Sequence, residues 1–229
     1  MTGMLVYTLI PVSAVILGSI VAVWHRPGPA FVSAMQHLAA GVVFAAASVE
    51  ILPQIMHEAS PLATLVGGAL GVAAMLSLKA IEKRYEGPLA MLAAVAIDVL
   101  IDGLVLGLAF LAGATAGLLL TIALTLEVLF LGLTVTTELG ETFRSRFKVV
   151  LVTSALALLL PIGALLATPI ANFSPVIIGG FLSFGLMALL YLVTEELLVE
   201  AHEKPDSPLI TAMFFVGFLA LLLMEEVVR

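Results

Sequence analysis

Three acidic side chains stand in the middle of long apolar stretches of this 229-residue chain. Asp98 and Asp102 interrupt the run at 88–111, and Glu127 interrupts the run at 114–137. Residues four apart on a helix differ by about 40° in azimuth, so both aspartates face the same way. Carboxylate oxygens suit divalent cations, so this pattern is typical of a cation site. The alternative is a set of neutral acids that hydrogen-bond across helices, or an acid that faces lumenal water.

The elements that position these acids are apolar runs of helix length. The runs lie at about 4–24, 30–52, 61–79, 88–111, 114–137, 147–168, 176–197 and 208–224. A helix that crosses a hydrocarbon core of about 30 Å needs roughly 20 apolar residues. Hydrophobic residues make up 62% of the chain and charged residues 11%, too few charges to cover a soluble domain. We therefore predict an all-α, polytopic integral membrane helix bundle of about eight transmembrane helices, with 1–229 as a single transmembrane domain.

The basic residues predict the orientation of these spans. Eight of the nine fall at the odd-numbered connections, and only Arg229 does not. The eight are Arg26, Lys79, Lys83, Arg84, Arg144, Arg146, Lys148 and Lys204. Because basic residues in short loops mark the cytoplasmic side, we expect a multi-pass protein of the cell membrane with both termini non-cytoplasmic. The net charge of −7 argues against a nucleic-acid partner, and the lipid bilayer is the expected surrounding.

The orientation also places the three acids in depth. Span four runs outward with its aspartates near the middle, and span five returns inward with Glu127 near its own middle. Only a few small residues around Gly113 connect the two spans, so they should be antiparallel neighbours. No basic residue lies inside a span to neutralise these acids. The sequence therefore predicts a three-carboxylate cluster near the bilayer midplane.

Further acids stand near the ends of other spans. Glu50 lies at the outer end of span two, and Glu195 and Glu196 lie at the inner end of span seven. We interpret them as metal-binding groups at the two mouths of a path through the midplane cluster. Each of the three is equally interpreted as an ordinary residue of the membrane interface or of a helix end.

The histidines carry weaker signals. His37, on the inner half of span two, is interpreted as a proton carrier or accessory ligand, or else as a packed and hydrogen-bonded residue. His57 and His202 are predicted to lie in loops. Cysteine is absent, so the chain offers no thiolate ligand.

Several segments resemble one known family. Residues 96–104, with Asp98 and Asp102, and residues 124–133, with Glu127, are similar to the paired metal-binding helices of the ZIP (Zrt/Irt-like) divalent metal transporters. Those helices typically read His-Asn-x-Pro-Glu/Asp-Gly and His-Glu/Asn-x-Pro-Glu-Gly. Residues 159–165 resemble the family's Glu-Pro-x-Gly-Ala-Leu segment, residues 191–202 its span-seven segment, and residues 37–53 its span two. The resemblance implies an eight-span fold with both ends outside.

The departures from the family pattern imply a reduced metal site in a divergent member of bacterial or archaeal type. Asp98 and Glu127 stand where the family has histidines, and Asp102 keeps its acidic position. The family's other donor positions hold apolar residues here, namely Val99, Val128, Leu131 and Leu160. The resemblance therefore implies one bound metal ion where the family holds two. Family proline positions are also substituted, by Ile101, Phe130 and Val199.

These observations favour a transporter that moves a divalent cation into the cytoplasm. Zinc, iron and manganese are the candidate substrates, and the metal ion is cargo and not a cofactor. The alternative is a transport-inactive ZIP-like membrane sensor or assembly partner. An intramembrane enzyme is not expected, because the sequence has no HExxH, no GxSxG with a triad and no buried histidine pair. The spacing of Gly67 and Gly71 matches a GxxxG motif, which suggests a homodimer as the oligomeric partner state.

Overall fold

The fold is a bundle of apolar helices, as predicted. A computed structural model describes residues 2–25, 27–84, 87–143, 145–203 and 207–228, and within these ranges it contains helices and no strand. Eight helices of the described chain are long and apolar enough to cross a membrane, which confirms the predicted number of spans. Three of the eight basic residues used to predict the orientation, Arg26, Arg144 and Lys204, lie outside the described residues, as does Arg229.

The helices begin and end close to the predicted boundaries. They are α1 Thr2–Trp24, α2 Pro29–Glu58, α3 Pro61–Arg84, α4 Pro88–Ala112, α5 Ala114–Thr142, α6 Arg146–Asn172, α7 Pro175–His202 and α8 Pro208–Val228. Five of the eight begin at a proline. Proline suits this position because the first N–H of a helix has no intrahelical acceptor and the ring fixes φ near its helical value.

Prolines also explain irregular turns in two helices. In α2 a π turn, Ala47–Ile51, precedes Pro53, and in α6 the helix breaks between Ala157 and Leu159, just before Pro161. A proline ring clashes with the carbonyl group four residues earlier, and both irregularities fall at that carbonyl. The predicted end of the second span at about residue 52 is therefore wrong, since α2 continues to Glu58.

A third irregularity forms without a proline. A π turn, Leu192–Leu197, interrupts α7 although Val199 stands where the resemblance expects proline. In contrast, α4 and α5 run as regular helices through Ile101 and Phe130. The three acids of the predicted cluster therefore sit on regular helices, whereas Glu50, Glu195 and Glu196 sit on π turns. Such turns are frequent at functional sites.

The eight helices pack as two groups of four. In the first, α1 packs on α5 and α6, and α4 packs on the same two helices. In the second, α2 packs on α8 and α7, and α3 packs on α7. The groups meet mainly where α2 contacts α5 and where α7 contacts α4. The two helices that carry the three acids are thus the members of the first group that face the second.

Glycine allows the backbones of paired helices to touch. An added Cβ would lie 2.0 Å from the Leu160 carbonyl oxygen at Gly103, and 1.9 Å from the Phe214 carbonyl oxygen at Gly41. Small residues are needed wherever membrane helices approach this closely. The first contact holds α6 against α4 one residue beyond Asp102, and the second holds α8 against α2.

The two glycines of the GxxxG spacing in α3 contact another helix of the same chain. An added Cβ would lie 2.0 Å from the Gly180 carbonyl oxygen at Gly67, and 2.5 Å from the Phe184 carbonyl oxygen at Gly71. Both glycines therefore pack against α7 and not against a second copy of the chain. The GxxxG spacing therefore no longer supports the predicted homodimer, which stays a prediction.

Candidate metal centre

The three predicted acids converge inside the bundle. One carboxylate oxygen each from Asp98, Asp102 and Glu127 lies within 4.8 Å of the other two. The side chains are 7%, 2% and 3% exposed. Among the described residues, these three acids form a group that could hold one metal ion. The i, i+4 spacing on α4 and the short connection at Gly113 produce the convergence, which confirms the predicted cluster.

The spacing of the oxygens fits a single divalent ion. Two oxygens bound to one ion at about 2.0–2.2 Å lie no more than roughly 4–4.4 Å apart. Distances of at most 4.8 Å therefore need only a small movement of the carboxylates. Ca²⁺, with its longer bonds of about 2.3–2.6 Å, would require a smaller movement.

Two oxygens of the cluster lack partners. Asp102 Oδ2 and Glu127 Oε2 are buried, and within the described residues neither has a hydrogen-bond partner. Leaving a buried polar group unsatisfied costs about 1–3 kcal/mol, and more for a charged group. A network of neutral acids hydrogen-bonded across helices would supply such partners, so this alternative is not supported at these two atoms. A cation would satisfy both.

Apolar side chains surround the cluster. The positions at which the ZIP resemblance expects further donors hold buried residues, with Val99 2%, Val128 0% and Leu160 1% exposed. The backbone of Leu160 touches Gly103, so α6 passes directly beside Asp102. The low dielectric of this environment strengthens the attraction between carboxylates and a dehydrated cation, and it also raises the cost of leaving the acids unpaired.

The two neighbouring acids of α7 differ in their surroundings. Glu196 is half-buried, and its charge acts on both Asp102 and Glu127. Glu195 is exposed, and its backbone carbonyl accepts a hydrogen bond from Lys79 Nζ at 3.0 Å. The structure therefore brings Glu196 into the electrostatic field of the cluster and leaves Glu195 exposed.

Glu50 lies on the π turn of α2, and this turn contacts both α4 and α5. The side chain is half-buried. Glu50 is thus carried by the segment of the second helix group that packs against the two cluster helices. The structure does not make it a member of the three-carboxylate cluster.

A polar contact between the N-terminal end of α2 and the C-terminal end of α7 was missed by sequence reasoning. Gln36 Nε2 donates to Glu200 Oε2 at 2.7 Å, and Ser33 Oγ donates to the Ala201 carbonyl at 2.9 Å. The rings of His37 and His202 stand edge to face, with centroids 4.9 Å apart. His202 lies in the last turn of α7, and His57 in the last turn of α2, so their predicted loop positions are wrong.

Both histidines of this contact are held by the backbone. His37 Nδ1 lies 2.9 Å from the Ser33 carbonyl oxygen, and His202 Nδ1 lies 2.6 Å from the Leu198 carbonyl oxygen. A neutral imidazole whose Nδ1–H donates to a carbonyl keeps Nε2 as an acceptor, which is the usual state of a metal-binding histidine. His37 Nε2 is buried, and the described residues give it no hydrogen-bond partner. The sequence shows polar residues at the start of span two and at the end of span seven, but it does not show that these two ends meet.

Comparison of the chain with models of known protein families and with curated proteins finds no match. The interpretation of the site therefore rests on its own geometry: three buried carboxylates on two membrane helices, with a fourth acid, Glu196, acting on two of them.

Proposed function

We propose that this protein moves a divalent metal cation across the membrane and into the cytoplasm through the cluster of Asp98, Asp102 and Glu127, in the manner of a divergent ZIP-like transporter with one metal site. The observation that carries the proposal is the convergence of three buried carboxylates, within 4.8 Å, in a bundle of membrane-spanning helices. Each such acid costs about 2.5–3.5 kcal/mol near the bilayer centre on insertion scales, so a function is the default reason to find three together.

The driving force for inward movement is electrical. A membrane potential of 100 mV, negative inside, contributes about 4.6 kcal/mol to a doubly charged ion that enters, from about 2.3 kcal/mol per charge. The sequence contains no nucleotide-binding GxxxxGK[ST] loop that would drive pumping by this chain. Facilitated passage or secondary transport is therefore the mechanism class that we propose.

The proposed route connects acidic and imidazole groups from one side of the bundle to the other. Glu50 attracts the cation at the outer part of α2, the cluster binds it, and Glu196 draws it toward the inner end of α7. At that end, His37 Nε2 offers an acceptor beside His202. A sequence of sites with similar donors favours passage, because no single site then holds the ion too tightly for it to leave.

The orientation predicts where the loops are accessible. The natural chain has no cysteine, so single cysteines report their own position. We expect a maleimide that does not cross membranes to label Asn172→Cys in intact cells, and to label Ser145→Cys only after the cells are permeabilised. Both positions are exposed, so accessibility to the reagent is matched. Labelling of Ser145→Cys alone in intact cells would reverse the orientation.

Flux measurements on the purified protein test the function itself. Proteoliposomes with a negative internal potential should accumulate Zn²⁺, Mn²⁺ or Fe²⁺ faster than protein-free vesicles. The apolar residues at Val99, Val128 and Leu160 favour one second candidate, a transport-inactive sensor or assembly partner. Metal binding to the folded protein without any flux would support that candidate and contradict transport.

A further inference from the structure

A polar cavity lies away from the carboxylate cluster, between the inner ends of α1, α5 and α6. Its volume is about 240 Å³, and its lining includes Ala22, Val23, Thr136, Thr137, Gly140 and Arg146. One water molecule occupies about 30 Å³ of liquid, so the cavity has room for a phosphate group and several waters. The proposed transport route does not use this cavity.

Arg146 gives the cavity its charge. Its guanidinium carbon lies 5.3 Å from the centre of the Trp24 ring, a cation–π contact between the start of α6 and the end of α1. A cation–π contact leaves the N–H groups of the guanidinium able to bind an anion. Among the described residues no carboxylate forms an ion pair with Arg146. Its positive charge is therefore held in place, and no carboxylate of the described residues neutralises it.

The surroundings place the cavity at the edge of the lipid. Trp24 is 74% exposed, and Phe147, next to Arg146, is 76% exposed. One helical turn further along α6, Leu151 is also exposed. Tryptophan at the level of the headgroups and apolar side chains beyond it are typical of a membrane interface. A ligand whose anionic group enters the cavity would thus find an apolar surface beside it for its hydrocarbon chains.

Among the described residues, the lining of this cavity contains no acidic side chain. Glu138 lines a neighbouring groove with Pro27 and Pro29 and is not part of this lining. The Leu139 carbonyl, at the end of α5, already accepts from the Phe143 N–H at 2.7 Å. The Thr137 hydroxyl donates to the Leu133 carbonyl and can rotate to donate to a ligand instead.

We propose that this cavity binds the phosphate group of an anionic phospholipid of the cytoplasmic leaflet. The Arg146 guanidinium would donate two parallel N–H bonds to phosphate oxygens, the geometry that arginine forms with phosphate. The cytoplasmic leaflet is rich in anionic lipid, and basic pockets between membrane helices on that side bind such headgroups. The site holds α1 and α6 together at the inner interface, within the helix group that carries the carboxylate cluster.

Native mass spectrometry of the full-length protein in detergent tests the proposal. We expect more phosphatidylglycerol to remain bound to the protein than phosphatidylcholine added at the same concentration. Arg146→Gln should lower the bound phosphatidylglycerol by about tenfold or more, as expected for loss of charge-assisted hydrogen bonds. Lys148→Gln is the matched control, because it removes the same charge from the same turn outside the cavity lining and should leave binding unchanged.

A second variant blocks the cavity without changing its charge. At Gly140 an added Cβ meets nothing within 4 Å, so Gly140→Leu should fill the space while keeping the helix intact. It should reduce phosphatidylglycerol binding as Arg146→Gln does. The proposal is overturned if both variants bind the lipid like the parent protein, or if Lys148→Gln loses as much binding. Displacement of the lipid by inorganic phosphate at equal concentration would also overturn it, in favour of a site for free phosphate.

Discussion

Replacing Asp102 with asparagine should abolish uptake of every divalent metal and leave the protein folded. The amide has nearly the shape of the carboxylate but carries no charge, and its nitrogen is not a metal ligand. Asp102 is 2% exposed and has a buried oxygen without a hydrogen-bond partner in the described structure. Loss of a group that merely supports a metal ligand costs about 10–100-fold in affinity, so loss of the ligand itself should cost at least about 100-fold. Uptake in proteoliposomes should fall to that of empty vesicles.

The control for this variant is Glu138→Gln. It makes the same change from acid to amide on α5, at an exposed position outside the cluster, and should transport at the parent rate. In metal-free buffer, Asp102→Asn should be at least as resistant to thermal unfolding as the parent, because it removes a negative charge from beside two others. A folded Asp102→Asn protein that carries metal at the parent rate would show that the cluster is not the transport site.

The cluster could be predicted from the sequence because its determinants are local. Asp98 and Asp102 share a face through the helical repeat, and the short connection at Gly113 brings Glu127 back to the same depth. Neither step requires knowledge of how distant helices pack. The span count was predictable for the same reason, since hydropathy and length identify each helix separately.

The polar contact of His37 and His202 could not be predicted, because its partners lie 165 residues apart and meet only when α2 packs on α7.

The difference in burial between Glu195 and Glu196 could not be predicted for another reason. The π turn Leu192–Leu197 changes the helical repeat where these acids lie. The directions of their side chains therefore cannot be derived from the repeat of a regular α-helix. No proline in the sequence predicts this turn, whereas Pro53 and Pro161 do indicate the irregularities of α2 and α6.

The glycine pattern shows that a motif can be recognised while its partner is misassigned. The spacing of Gly67 and Gly71 predicted close helix contact, and the structure has that contact, but with α7 of the same chain. Sequence spacing fixes which face of a helix is flat. This spacing does not determine whether the neighbouring helix belongs to the same molecule. Contacts within one chain and contacts between two copies both require small residues at the contact.

Changing both Asp98 and Glu127 to histidine should shift the competition among metals toward zinc. The parent cluster offers three carboxylates and neither imidazole nor thiolate, a donor set that suits manganese and other hard ions. Two imidazoles with Asp102 give a site of one negative charge, in which the attraction to any dication is weaker. The softness of the ligands then has a larger influence on which metal ion is preferred. We expect the ratio of zinc to manganese uptake, measured with both ions present, to rise by about tenfold or more.

The matched control for the double variant is Glu138→His, which adds an imidazole to α5 outside the cluster and should leave the ratio of zinc to manganese uptake unchanged. Each single variant, Asp98→His or Glu127→His, should give an intermediate ratio, because each exchanges one oxygen donor for nitrogen at the same ion. A double variant that folds, transports and keeps the parent ratio would mean that selectivity is set elsewhere on the route. Glu196 and the histidines His37 and His202 would then be groups to change. The charge of Glu196 acts on the cluster, and the two rings meet where α2 packs on the C-terminal end of α7.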